Sequence, residues 1–296
     1  MKLLVVGCKG QLGVDMMLCA EEAGYVTVGY DVPAIDITDP RSVESILEQE
    51  QADHVINCAA YTAVDACEEN ETVAHRVNAE GVEILGRAAD RRGMSLTHIS
   101  TDYVFDGLKR TPYVETDMPN PRSAYGRTKY AGEQALSAVC SRSRVFRIAW
   151  LYGAHGKNFV GTIRRLAKQR LNPGSPPLKV VHDQWGSPTW TVEVCRQILA
   201  LVETNHFGVF HATAEGKCTW YDFARLITEE YGVKVDMVPC TTAEFPRPAP
   251  RPAWSVLENR RLESIGLNRM RPWEEAFRDF VGRDTGEGSR DAPPCS

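Results

Sequence analysis

In the first half of the chain, short continuous apolar runs alternate with stretches in which apolar positions recur every three or four residues. Continuous runs mark strands buried on both faces, and the longer spacing marks helices packed along one stripe. Lys2 to Val6 reads as a strand. Gln11 to Ala23 reads as a helix, with Leu12, Met16 and Ala20 on one face. Val26 to Tyr30 is a second strand. Asp39-Pro40 then opens a helix running to about Gln49, with the acid as N-cap and proline at the first position. Strands follow at His54–Cys58, Ser95–Ser100 and Arg144–Ala149, separated by helical stretches at about Thr72–Arg91 and at Ala124–Val139. This βα rhythm predicts a doubly wound, Rossmann-like parallel sheet with right-handed crossovers and helices on both faces.

The rhythm breaks after Trp150. Leu178 to Val181 reads as one more strand and Thr191 to Val202 as a helix. A helix lies around Tyr221 to Tyr231, and the proline-rich stretch from Phe245 to Pro252 cannot pair in a sheet. The expected α/β organisation is therefore a dinucleotide-binding domain over residues 1–150, to which 178–205 return. A smaller C-terminal α/β substrate lobe is built from 151–177 and 206–283. The polar, Gly- and Pro-containing residues 284–296 are expected to be a disordered tail.

Composition narrows the class without changing this picture. The chain has 296 residues, 43% hydrophobic and 25% charged, with a net charge of −5. That is ordinary globular composition, without the basic footprint of a nucleic-acid binder. No apolar run is long enough to span a membrane, and the apolar start is too short for a signal peptide. The nine scattered cysteines contain no C-x-x-C, which fits reduced thiols in a cytoplasmic protein rather than a zinc site or disulfide framework.

Gly7-Cys8-Lys9-Gly10-Gln11-Leu12-Gly13 follows the first strand directly and opens the first helix. A glycine triplet alone is a common turn. In this setting it permits a tight turn at Gly7, backbone approach to a pyrophosphate at Gly10 and close helix packing at Gly13. The helix N-terminus adds free N–H groups and a positive dipole end. Asp31 ends the second strand, where an acid would bind the adenosine ribose 2′-OH, with no Arg following it for a 2′-phosphate; this favours NADH. A turn acid before Pro33 is the alternative. Asp36 and Ile37 in the next loop are placed to reach the adenine, and Asn57-Cys58-Ala59-Ala60-Tyr61 ends the third strand with small residues. Core packing is the alternative there.

Tyr125 and Lys129 lie four residues apart on a helix and therefore share a face. A phenol titrating near 10 is a poor acid at neutral pH, and a nearby ammonium would lower that value. Such a pair is common by chance. What raises it above chance is Ser100-Thr101-Asp102-Tyr103 at the end of the fourth strand, 24 residues upstream of Tyr125 counted from Thr101. Strand C-termini line the crevice of a doubly wound sheet, and a hydroxyl there can hold a carbonyl oxygen beside the tyrosine.

These motifs, with RIAWLYGAHGKNF from Arg147, DQWGSPTW from Asp183, TWYDFA from Thr219 and RPAWSVL from Arg251, make the chain resemble the extended short-chain dehydrogenase/reductases. Within them it is most similar to the dTDP-4-dehydrorhamnose reductases, over about residues 1–282. The resemblance implies NADPH- or NADH-dependent reduction of the 4-keto group of dTDP-4-dehydro-6-deoxy-L-mannose to dTDP-L-rhamnose. It implies that Tyr125 donates the proton, Thr101 holds the sugar oxygen, and Lys129 lowers the tyrosine pKa and binds the ribose. Thr101, Asp102, Tyr125 and Trp150 would contact the sugar. Gly7, Gly10, Gln11, Leu12, Gly13, Asp31, Asp36, Ile37, Ala60, Tyr61 and Thr62 would line the cofactor. Asn78 matches a supporting helix asparagine, though a plain polar helix residue is equally consistent.

Ile99, Trp185 and Trp190 depart from the residues frequent in relatives and could reshape the sugar pocket. Arg251 and Trp254 could face the nucleotide or pack the lobe. Some relatives are homodimers with Mg2+ held by interface carboxylates; Asp15 and Glu193 match those positions, with an ordinary acidic surface as the alternative. Competing readings are another nucleotide-sugar reductase or epimerase, and a non-catalytic regulatory subunit of the methionine adenosyltransferase type.

Overall fold

The computed structural model describes residues 1–172 and 174–285. Its first half runs β1 (Lys2–Val6), α1 (Gln11–Glu22), β2 (Val26–Tyr30), α2 (Pro40–Glu50), β3 (His54–Asn57), α3 (Val64–Glu69), α4 (Glu71–His75), α5 (Gly81–Arg91), β4 (Ser95–Thr101), α6 (Ala124–Val139) and β5 (Ser143–Ile148). The second half runs β6 (Leu151–Tyr152), α7 (Phe159–Lys168), β7 (Leu178–Val181), β8 (Trp185–Gly186), β9 (Thr189–Trp190), α8 (Thr191–Val202), β10 (Gly208–His211), β11 (Cys218–Thr219), α9 (Trp220–Glu230), β12 (Met237–Cys240), α10 (Arg260–Ser264) and α11 (Trp273–Thr285).

A six-stranded parallel sheet has the order β10-β5-β4-β3-β1-β2. The chain winds outward from β1 in both directions, to β2 on one side and to β3 on the other. The crevice at the strand C-termini therefore opens between β1 and β3. Both sheet faces are covered. Leu3, Val5 and Ile56 pack with α1 and α8 residues on one side, and Leu4, Val6 and Val55 with α2 and α5 residues on the other. Asp39 caps α2 by accepting the Arg41 N–H at 3.0 Å, with Pro40 in the first turn, as the Asp-Pro pair foretells.

Several expected boundaries are corrected. The single helix expected over 72–91 contains a π-turn at Arg76–Glu80 between α4 and α5. The turn carries Asn78, whose carbonyl lies where a Cβ on Gly132 would stand at 2.1 Å, so α6 packs on it backbone to backbone. Residues 208–211, expected in the smaller lobe, are instead the sheet's edge strand, because Phe210 stacks on Phe146 of β5 in the first core. Of 178–205, α8 packs on the sheet side while β7 pairs with β12 outside it. Asp284 and Thr285 close α11 rather than begin a tail, since Asp284 accepts hydrogen bonds from Arg164 and Tyr231. The rest of the expected tail, 286–296, lies outside the described residues.

A second core gathers Tyr152, Val160, Trp190, Phe223, Phe277 and Phe280 around α7, α9 and α11. No described helix is long and apolar enough to cross a membrane.

Candidate active site

The glycine turn behaves as its spacing requires. Gly7 has φ +80°, and a Cβ there would lie 2.6 Å from the Ala59 nitrogen; one on Gly13 would lie 2.0 Å from the Gly7 carbonyl oxygen. The turn and the first helical turn are thus in direct backbone contact. Gly10 caps α1 without a side-chain bond, and the first turn carries no acid. The N–H groups of Gln11, Leu12 and Gly13 have no partner within the helix, which makes this end receptive to an anion. Leu12 buries its side chain in the core, and Gln11 spends its amide on the Leu151 carbonyl and on Asn158. Only their main chains remain for a ligand.

Beside this turn runs a groove of about 290 Å³, lined by Gly7, Gly10, Asp31, Asp36, Ile37, Cys58, Ala59 and Ala60 among others. Asp31 accepts the Lys9 N–H at 2.9 Å and the Val32 N–H at 2.8 Å, which fixes its carboxylate at the groove's edge. Asp36 accepts from the N–H and hydroxyl of Thr38, each at 2.8 Å. Tyr61 does not line this groove; it packs with Tyr125 on Cys67, Ala74 and Ala124, and Thr62 beside it is exposed. Asn78 holds the Tyr61 main chain from both sides, accepting its N–H at 2.8 Å and donating to its carbonyl at 3.1 Å. A third contact donates to Thr128 at 3.2 Å and ties this loop to α6. An uncapped helix end, a glycine floor and an acid at the edge fit a dinucleotide.

The catalytic candidates come together at the C-terminal end of β4. Ser123 caps α6 by accepting the Gly126 N–H at 3.1 Å, placing Tyr125 in its first turn. The Tyr103 and Tyr125 rings meet edge to face at 5.5 Å. Thr101 donates to Asp102 Oδ1 at 2.9 Å and accepts the Tyr103 N–H at 3.2 Å. Asp102 is buried and its Oδ2 has no hydrogen-bond partner. Burial pushes its carboxyl up to about 6, against the Thr101 hydrogen bond that favours the charged form. Burial raises the Tyr125 phenol above its ordinary value, the Asp102 charge adds to this, and the Thr101 hydroxyl partly offsets it.

The expectation for Lys129 needs correction. It shares the helix face with Tyr125, but its buried Nζ donates to the Ile99 carbonyl at 2.6 Å and lies 3.2 Å from His98 Nε2. Burial, and then Asp102, set the direction of the phenol's shift here. The Lys129 amine is itself pushed down to about 8 by burial, against the attraction of Glu133 and Cys58. The resting phenol is therefore protonated and a weak acid in this arrangement.

On the other side of Tyr103 lies a cavity of about 350 Å³. Trp150 enters it from a left-handed backbone position, φ +47°, and stacks on Trp220 at 3.4 Å and 7°. Gly186 makes this rotamer available, since a Cβ there would lie 2.3 Å from the Trp150 ring. Trp220 donates its indole N–H to Gln184 Oε1 at 3.1 Å. Lys179, Arg247 and Arg251 also line the cavity, with Arg251 paired to Asp65 at 2.8 Å.

Tyr103, Gln184, Trp220 and Arg247 lie inside stretches quoted above without being singled out as site residues, and Lys179 lies in the strand read at Leu178–Val181. Trp190 and Trp254 are packing residues: Trp190 sits edge-on to Phe280, and Trp254 donates to the Thr111 carbonyl at 2.9 Å. Trp185 lies against Trp254 rather than in the cavity lining. Asp15 is buried against the Thr191 hydroxyl and His155, and Glu193 accepts from Arg271 at 2.5 Å. Among the described residues no group of three or more His, Cys, Asp or Glu side chains is arranged to hold a metal.

The family model described as the RmlD substrate binding domain matches residues 1–285. A dTDP-4-dehydrorhamnose reductase of Mycobacterium tuberculosis is 42% identical over 93% of this chain and 91% of its own. A spore coat polysaccharide biosynthesis protein of Bacillus subtilis is 38% identical over 95% and 96%. Among solved structures, a dTDP-4-dehydrorhamnose reductase of Clostridium acetobutylicum is 42% identical with TM-score 0.92, covering 96% of this chain and 99% of that one. The Bacillus anthracis enzyme, solved in complex with NADP, is 34% identical with TM-score 0.92, covering 95% and 99%. A parallel sheet with a glycine turn, a Thr–Asp–Tyr cluster at its C-terminal edge and an aromatic cavity beyond it are thus carried by a chain that belongs to the RmlD family of dTDP-4-dehydrorhamnose reductases.

Proposed function

We propose that the protein reduces the 4-keto group of dTDP-4-dehydro-6-deoxy-L-mannose, giving dTDP-L-rhamnose. The observation that carries this is the position of Thr101, Asp102 and Tyr125: the Tyr125 ring packs beside Tyr61, which directly follows the groove residues Cys58 to Ala60, and meets Tyr103, which lines the cavity. The nicotinamide, when bound, supplies the hydride. Gly7, Gly10, the first N–H groups of α1 and Asp31 would hold the dinucleotide. Tyr125 gives its phenolic proton to the sugar oxygen; burial raises its pKa, so a cation brought beside the phenol, for which Lys129 is the candidate, would ease that transfer. Thr101 donates to the same oxygen after releasing Asp102. The unpartnered Asp102 Oδ2 accepts a sugar hydroxyl, which would satisfy a buried acceptor. In the cavity, Lys179, Arg247 and Arg251 suit a pyrophosphate, and Trp150 on Trp220 forms an apolar wall.

A 39% identical Streptomyces niveus relative is a dTDP-4-keto-6-deoxy-D-glucose reductase, which favours a second reading with the same chemistry on another sugar. The intact Thr101, Tyr125 and Lys129 set supports an enzyme over a regulatory subunit. The acid at Asp31 supports NADH as the preferred reductant. Among the described residues seven of eight cysteines are buried, which suits a reducing cytoplasm.

Oxidation of the reduced nicotinamide with each of the two keto sugars tests the reading. Turnover of the mannose-configured substrate is expected, with Tyr125→Phe slower by about 10²- to 10⁴-fold. No turnover by the wild-type protein would sink the assignment, and full turnover by the phenylalanine variant would remove the role of Tyr125.

A further inference from the structure

Behind Lys129 runs a buried line of polar groups. The Ala59 N–H donates to Asn57 Oδ1 at 3.1 Å. That contact orients the amide, so its Nδ2 faces His98 Nδ1 at 3.1 Å. Asn57, His98 and Lys129 are all buried. His98 is held neutral: burial pushes its pKa well below the ordinary value. A neutral imidazole has one N–H. Since Nδ1 receives the Asn57 amide, the proton belongs on Nε2, which points at Lys129 Nζ at 3.2 Å. An ammonium there would set donor against donor. A neutral amine can accept the imidazole N–H and still donate to the Ile99 carbonyl at 2.6 Å. Every contact from Ala59 to Ile99 then has one donor and one acceptor.

We infer that His98 is a positioning residue that parks Lys129 as a neutral amine in alkaline solution in the protein without dinucleotide, and that dinucleotide binding there draws one proton from solvent onto Lys129. The inference rests on reading the adjoining groove as a dinucleotide site. The amine gains its proton when it leaves His98 for the bound ligand's hydroxyls and charge, and the buffer supplies that proton. The other titratable groups around Lys129 do not replace His98 in this role. Glu133, one turn along α6, favours the ammonium but is already bonded to Arg147 at 2.7 Å and to Ser100. Cys58, after β3, also favours the ammonium only as a thiolate, and burial pushes that thiol up to about 12. Tyr125 on the same helix face stays protonated. Burial acts in the same direction as His98, and Lys129 sits at about 8. The proton is therefore gained over the range between about 8 and the ordinary lysine value near 10.5.

Two measurements test this. The first is a pH titration of the lysine side-chain carbons by NMR in the protein alone, with the Lys129 signal assigned through a Lys129→Arg variant. The second is calorimetry of NADH binding in two buffers of different ionisation enthalpy, which counts protons. Lys129 is expected to titrate about two pH units below an ordinary lysine, and NADH to take up close to one proton at pH 9 and almost none at pH 6.5. His98→Gln can still accept from Asn57 and donate to Lys129, so it should keep the wild-type titration. His98→Leu removes the donor and should raise the titration by about one pH unit, shrinking the proton uptake at pH 9. A Lys129 that titrates near 10.5 in the free protein overturns the inference whether or not NADH binds. A His98→Leu protein with the wild-type titration overturns the role of His98 and leaves burial as the cause. A depressed Lys129 in a protein that binds no dinucleotide supports the parked amine and overturns only the reading of the groove.

Discussion

The glycine turn and the aromatic cavity are built in opposite ways. From Gly7 to Gly13 the chain needs seven consecutive residues, one strand before and one helix after. The cavity takes its walls from separated segments: Trp150 after β5, Gln184 before β8, Trp220 at the head of α9, and Arg247 with Arg251 in the proline-rich loop. The turn is specified by backbone sterics, which act between near neighbours. The cavity is specified by which side chains the second core brings together. A change in the turn should therefore be felt through the fold, and a change in the cavity mainly through substrate.

The largest expected effect is at Gly13. A Cβ would stand 2.0 Å from the Gly7 carbonyl oxygen, backbone against backbone, with no flexible side chain to yield. Gly13→Val should cost about 3 kcal/mol or more of stability and abolish dinucleotide binding, by thermal melting and by NADH titration. A folded variant that binds NADH normally would break the claim that this turn is sterically determined.

Trp220→Ala should leave the melt within a few degrees, keep NADH affinity, and raise KM for the sugar nucleotide by about tenfold, the size of a lost aromatic stack. An unchanged KM would show that the Trp150–Trp220 stack is packing and not a substrate wall.

Asp102 sharpens the comparison at the junction of the two regions. Its folded-state pKa of about 6 lies above the ordinary 3.8. Its contribution to stability is full below about 3.8 and is lost as the pH rises through about 6. Asp102→Asn should therefore stabilise the protein by about 1–3 kcal/mol at pH 8 and by little at pH 4, while lowering activity. A stability difference that does not vary with pH would remove the buried charge as its cause.

The smallest effect belongs to Asp31. Asp31→Ser should shift the ratio of kcat/KM for NADH over NADPH towards NADPH by about five- to tenfold, through lost repulsion of a 2′-phosphate. The Lys9 N–H that Asp31 accepts would lose its partner, so a small loss of stability should accompany the shift.

Much of the site was legible because it is local. The cap at Asp39, the glycine turn, the helix from Ala124 to Val139 and the four-residue step from Tyr125 to Lys129 are set by neighbours in sequence. The illegible parts share a cause. The π-turn at Asn78 exists because α6 presses on its carbonyl and Tyr61 needs its amide, neither of which periodicity can register. Burial of the tyrosine, which raises its pKa in this state, escapes the sequence for the same reason. The spacing puts Lys129 on the right face, but only the folded core shows that its amine is taken by Ile99 and His98.

By itself the sequence determined the parallel sheet, the succession of its first five strands along the chain and the glycine turn, and it singled out the candidate reacting side chains. These follow from periodicity and from steric rules acting over a few residues. The tertiary structure alone decided that 208–211 joins the sheet, that Trp220 backs Trp150, that Asp102 is buried with an unpartnered oxygen, and that the Lys129 amine lies against Ile99 and His98. Those depend on desolvation and on contacts between residues far apart in the chain, and neither exists until the two cores close.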